Sequence, residues 1–275
     1  MRALAASLAA LLLVAGCGGG DGDDDAGPPG GPPKARESLK SVLPDYERAA
    51  VEQDCVGFAR FVHTTVRPPG RDTDDRPDAD ECAQLAQSYV QLSGLKLDKS
   101  REYGPAAVVE GRIDGQRVAL IWTLDVDRHW KQVQATPRGV PEQIGGVERP
   151  GGHEFDQHVR EWVDAQRRGD CRTVFRLFNT AATFVIQDQN DPKRFCARYR
   201  RGRRIPTTLS YALSRSPGAK PVKLGETPMF AFYGLATSGG GYWTVIMSTL
   251  PALLPPGGHA EDSVLDYYPN RRAKP

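Results

Sequence analysis

Apolar residues open the chain as an unbroken block, Ala3 to Leu13, behind Met1 and Arg2. The block ends at Cys17 and gives way to glycine, aspartate and proline from Gly18 to Pro33. Beyond it the apolar positions become periodic. In "HEFDQHVREWVDAQRRGD", Phe155, Val159 and Trp162/Val163 recur at helical spacing, and Gly169-Asp170 stops the run. Arg172 to Phe178 predicts a second short helix. Earlier in the chain Tyr46, Ala49/Ala50 and Gln53 share a helical face, with Pro44 expected near the helix start, and Asp80 to Leu92 predicts a further helix. Strand patterns follow each helical stretch. "AAVVEGRIDGQRVALIWTLDV" (106–126) sets Asp114-Gly115 between two strand-like runs, which predicts a hairpin, and "RHWKQVQA" (128–135) predicts the next strand. In the later part "TTLSYALS", "MFAFYGLAT" and "YWTVIMST" take these places, with Ser238-Gly239-Gly240-Gly241 as the last turn.

These two stretches are versions of one another. "YERAAVEQDCVGFARFVHTT" (46–65) and "WVDAQRRGDCRTVFRLFNTA" (162–181) align on Asp-Cys. Both carry an aromatic nine residues before the cysteine, alanine six before it, arginine five after it and threonine nine after it. Cys82-Ala83 and Cys196-Ala197 follow, and Trp130 and Trp243 stand 48 and 47 residues beyond those second cysteines. An ordered set of landmarks at conserved spacing reads as two copies of one domain.

The opening block is shorter than the ~20 apolar residues that span a bilayer. Val14-Ala15-Gly16-Cys17 resembles the lipobox of bacterial lipoprotein signal peptides. That resemblance implies cleavage before Cys17, acylation of its thiol, and a mature chain held at the extracytoplasmic face of the bacterial cell membrane. Residues 1–16 are then the signal peptide and residues 17–36 a flexible acidic and Pro/Gly tether, a composition that buries too little apolar area to fold. Residues 37–138 form the first domain, 139–152 a linker, 153–268 the second domain and 269–275 a C-terminal tail.

Export also governs the remaining cysteines. Cys55, Cys82, Cys171 and Cys196 are an even set in an oxidising compartment, and four cysteines allow three connectivities. The repeat selects Cys55–Cys82 and Cys171–Cys196, because duplication preserves only a bridge internal to each copy.

Helices followed by an antiparallel meander predict an α+β fold in each copy. The order of elements, with a late tryptophan strand, resembles the nuclear transport factor 2-like (cystatin-like) superfamily over about 100 residues of each copy. The resemblance implies two tandem cone-shaped domains, each with N-terminal helices on a curved antiparallel sheet around a cavity. It does not settle function, since such cavities hold substrate, hold ligand or are simply filled.

Catalytic chemistry is sparse. The isomerases of that superfamily need a carboxylate base facing a tyrosine or a protonated acid. Asp188, Tyr211 and Tyr233 are of the right types, but no pattern assigns them these roles: Asp188 reads as a turn residue, and Tyr233, Trp130 and Trp243 as core. His153 and His158 are five apart and miss the spacing that puts two metal ligands on one helix face; His63, His129 and His259 are scattered. The sequence holds no nucleophile elbow, zincin motif or Walker loop, and no metal or cofactor is expected.

Charge adds one feature. Residues 37–138 carry a net −3 and residues 139–275 a net +6. The second excess centres on "KRFCARYRRGRR", where Lys193, Arg194, Arg198, Arg200, Arg201, Arg203 and Arg204 are candidate contacts to an anionic surface. Export removes nucleic acid as a partner, leaving anionic lipid, a cell-wall polymer or the acidic first domain. The leading expectation is a membrane-anchored lipoprotein acting as a ligand-binding or interaction scaffold without catalysis. The alternatives are an exported isomerase or dehydratase using one cone, and an envelope spacer or sensor module.

Overall fold

The computed structural model describes residues 30–61, 80, 82, 83, 85, 86, 92–136, 155–178, 191–248 and 263–272. Each half is a set of helices followed by a four-stranded antiparallel meander. The first half contains α1 (Leu39–Val51), α2 (Cys55–Ala59), β1 (Lys96–Tyr103), β2 (Ala106–Ile113), β3 (Gln116–Leu124) and β4 (Trp130–Ala135). Residues 80, 82, 83, 85 and 86 are also helical, within the expected helix. The second half contains α3 (Phe155–Arg168), α4 (Cys171–Leu177), α5 (Pro192–Gly202), α6 (Leu209–Ser214), β5 (Val222–Glu226), β6 (Phe230–Ala236), β7 (Tyr242–Ser248) and β8 (Ser263–Arg271). The strand orders are β1-β2-β3-β4 and β5-β6-β7-β8. Cys55 is bonded to Cys82 and Cys171 to Cys196, one bridge within each half.

The shared Asp-Cys motif has a common geometry. Gly169 (φ 79°) and Gln53 (φ 55°) turn left-handed past their helices. The amide of the following aspartate then bonds back to the alanine six residues before the cysteine: Asp170 N–H to Ala165 O and Asp54 N–H to Ala49 O, both 2.9 Å. The next helix starts at the cysteine, and Asp170 caps it by accepting from Thr173 N–H.

Five details of the expected layout change. Gln53 lies past the end of α1 rather than on its face. Ser38 caps α1, so the helix begins at Leu39 and Pro44 lies inside it. "TTLSYALS" is not a strand: Thr208 caps α6, whose Leu209 and Leu213 are both buried at helical spacing. The second sheet also runs on through Asn270 and Arg271, beyond the expected domain end at 268, because these residues pair with β7 and with the chain before α1. Gly31 O accepts from the Arg271 guanidinium and Arg36 N–H bonds Arg128 O, so the folded body also takes in residues that composition gave to the tether. The linker 139–152 lies outside the described residues.

The largest departure concerns the outer faces of the sheets. The sheets are not curled closed into cones. One face of the first sheet packs under α1 and α2 through Tyr46, Phe58, Trp122 and Trp130. One face of the second packs under its helices through Phe155, Trp162, Tyr233 and Trp243. The opposite faces pack on each other. Ala106, Val108, Ala119 and Ile121 meet Phe230, Phe232, Ile246, Leu265 and Tyr268 in one buried cluster. The Tyr103 ring stacks on Phe232 at 5.2 Å. The architecture is therefore helices, sheet, sheet, helices, with three cores in series.

Asp266, on β8 opposite Ile246, accepts from the Tyr268 hydroxyl and the Tyr267 N–H. Burial nevertheless pushes its carboxyl up to about 6. The folded chain thus holds this proton more tightly than the unfolded chain does. Its contribution to stability is present below the usual carboxylate range and lost as the pH rises through about 6. Asp266→Asn should flatten that part of the dependence of the urea midpoint on pH between about 4 and 7; an unchanged slope refutes the assignment.

Candidate functional site

Most of the basic segment is α5, with Arg203 and Arg204 in the turn that follows it. Asp191 starts the helix by accepting from Lys193 N–H at 2.8 Å, and Pro192 takes a first-turn position where its missing N–H costs little. Its inner face is fixed by the bridge to Cys171, by Phe195 against Phe175 (5.2 Å), and by the Tyr199 hydroxyl donating to Gln166 O at 2.9 Å. At 100° per residue, Lys193, Arg194, Arg198, Arg200 and Arg201 spread over roughly 160° of the opposite side, and Arg204 lies in the turn after the helix. All six are exposed.

Arg203 does not belong to this set. Its guanidinium turns inward and donates to Gln166 O, and to Arg167 O at 3.2 Å, tying the end of α5 to the end of α3. Gly169 makes this possible, since a Cβ there would stand 3.1 Å from that guanidinium. The residue expected to contact an anionic surface is a clamp between two helices.

Beside α5 lies a pocket of about 290 Å³, between α4, α5, the start of α6 and Tyr267 of β8. Its walls include Val174, Phe178, Phe195 and Tyr267, and Arg198 is the one charged residue lining it among the described residues. Gln166, 2% exposed, lines it too, and its Oε1 has no hydrogen-bond partner among the described residues. Burial pushes the Tyr267 hydroxyl up to about 12, so it stays neutral at ordinary pH. A larger open groove, about 690 Å³, runs between α1 and β1. It is rimmed by charges of both signs, including Lys40, Glu47, Asp98 and Lys99, and none of its lining residues holds an unpartnered buried polar atom.

Tyr233 does face a carboxylate, since its hydroxyl donates to Asp156. The pair is unsuited to the isomerase role. Asp156 is half exposed, and the Tyr233 hydrogen bond, followed by Lys223, holds its carboxyl below the usual range. No described pocket contains it. Tyr211 lies under the Arg215 guanidinium, 5.0 Å from ring centre, with no carboxylate opposite it among the described contacts. Trp130 and Trp243 are buried in the two helix-side cores, as expected. Asp188, His63, His153, His259 and Cys17 lie outside the described residues. Among the described residues no group of His, Cys, Asp and Glu could hold a metal, and no helix is long and apolar enough to cross a membrane.

The pocket and its Gln166 carboxamide were missed in the sequence, where Gln166 reads only as a polar residue near a helix end. No protein-family model matches this chain, and no curated protein is significantly similar to it.

Proposed function

We propose that this chain is an exported, lipid-anchored scaffold without catalysis, whose second half lays the cationic face of α5 on the anionic headgroups of the membrane that anchors it. The observation that carries this reading is the arrangement of five exposed cations on one side of a helix, with Arg204 exposed in the turn after it, while the other side of the helix is locked into a core. Such a surface is presented ready-made, so little ordering entropy opposes its docking. The lipobox-like Cys17 supplies the anchor. Thirteen residue steps separate Cys17 from Gly30, a reach of about 45 Å at full extension, so the nearest anionic surface is the anchoring leaflet itself. The helices-then-meander order of each half supports a kinship with the nuclear transport factor 2-like superfamily in a flattened, back-to-back form.

Metabolic labelling with a fatty acid should mark the parent protein and not Cys17→Ser. The unlipidated full chain then tests the surface. It should bind vesicles containing phosphatidylglycerol, and binding should weaken as salt is raised. Each exposed arginine near the surface contributes on the order of 1 kcal/mol. Changing Arg200, Arg201 and Arg204 to glutamine should therefore weaken binding by up to about 3 kcal/mol at low salt. Arg203 is left in place, because its loss would open the α3–α5 junction. The whole chain must be used, since neither half has a covered outer sheet face alone. Equal, salt-insensitive binding by parent and variant would overturn the electrostatic reading, as would binding to anionic wall polymer but not to vesicles.

A further inference from the structure

We infer that the pocket beside α5 is a binding site for a small amphipathic acid, with an apolar body, a hydroxyl at its inner end and a carboxylate at its outer end. The inference is separable from the membrane-contact reading, with which it shares only Arg198, at the edge of the cationic side of the same helix.

Each part of the ligand answers a feature of the walls. Val174, Phe178, Phe195 and Tyr267 offer apolar and aromatic surface, which selects an apolar body. The Gln166 Oε1 is a buried acceptor without a partner among the described residues, and burying such a group is costly unless something donates to it. A hydroxyl is the smallest donor that satisfies it and leaves the body apolar. The acid is placed by Arg198, the exposed cation on the pocket's lining. The Tyr267 hydroxyl, kept neutral by burial, adds no competing negative charge. At about 290 Å³ the pocket stands at the small end of ligand sites, which run to roughly 300–1,000 Å³. The space between α3 and the sheet is a different region, filled by Phe155, Trp162 and Tyr233.

A second observation concerns Gly202. Its backbone is not in the left-handed region, so no conformational need selects glycine there. A Cβ would meet only Ser210 Oγ, at 3.8 Å, an ordinary contact. Glycine is a poor helix former, and at this position what it provides is room on the pocket's wall.

Calorimetric titration of the full chain carrying Cys17→Ser, with 8-hydroxyoctanoate, octanoate and 1,8-octanediol as probes, tests the assignment. The hydroxy acid should bind saturably, one per chain, about fivefold tighter than octanoate, the margin of one ordinary hydrogen bond. Gln166→Leu should erase that margin and leave octanoate binding in place. Arg198→Gln should weaken both acids severalfold and leave the diol unchanged. Gly202→Phe should abolish binding of all three by occupying the pocket, with an unaltered thermal unfolding curve reporting that the fold is kept. Vesicle binding should be unaffected by Gln166→Leu and Gly202→Phe, which separates a failure here from a failure of the membrane reading. Absence of saturable binding by the hydroxy acid, or binding that survives Gly202→Phe, overturns the proposal.

Discussion

Replacing Phe232 with alanine should destabilise the whole chain by about 3–5 kcal/mol, in one transition rather than two. Phe232 is fully buried, but not in the core of its own half: it points from β6 into the layer between the sheets, under the Tyr103 ring of β1. Deleting the ring removes apolar contact and leaves a void bordered by residues of both halves. Relaxation into that void is hindered, because Tyr103 also lies directly over Gly225, where even a Cβ would stand 2.1 Å from its ring. Urea unfolding gives the magnitude. Hydrogen exchange tests the coupling, since amides in β2–β3 and in β6–β7 should lose protection by similar factors. If β6–β7 loosens while β2–β3 keeps its protection, the halves are separate folding units and the shared core does not bind them together.

Asn270→Ala should cost roughly 3 kcal/mol, far more than a residue near a chain end ordinarily does. Asn270 is fully buried on β8. Its Nδ2 donates to Leu124 O at 2.6 Å and to Thr123 Oγ1 at 2.9 Å, both in the first half. Its Oδ1 accepts from Thr244 Oγ1 at 2.6 Å. Alanine leaves Leu124 O and the Thr244 hydroxyl buried without these partners, and each unmet group costs about 1–3 kcal/mol. The Thr123 hydroxyl is spared because it donates onward to Pro105 O. Truncation before Pro269 should produce at least as large a loss of thermal stability. A variant within a few tenths of a kcal/mol of the parent would mean that water replaces these bonds and that the site is not closed.

The sequence carried the central strands, because those rest on dense apolar patterning. Asp114-Gly115 does form the β2–β3 turn, with both residues at positive φ. The missed strands are β1, β5 and β8, all at sheet edges. Edge strands bury little, and "KLDKSREY" shows almost no alternation because it is exposed along most of its length. Pro269 disguised β8, although proline is tolerated on an edge. A clue to the layered architecture was present. "VALIWTL" and "MFAFYGLA" are continuous apolar runs, the mark of strands buried on both faces, whereas a sheet with one wet face alternates. The function-bearing features were harder to read. Composition located the cations of α5, but only the fold turns Arg203 inward, and only helix packing encloses the Gln166 carboxamide.

The layer between the sheets is also asymmetric. A single unit pairing with its own twin would present the same side chains from both partners. Here the first half contributes Ala106, Val108, Ala119 and Ile121, with the Tyr103 ring packed against them, and the second half the bulkier Phe230, Phe232, Ile246, Leu265 and Tyr268. The two faces are complementary rather than alike. Each face is built for the other, so exchange of halves between neighbouring chains should succeed only in the unlike combination.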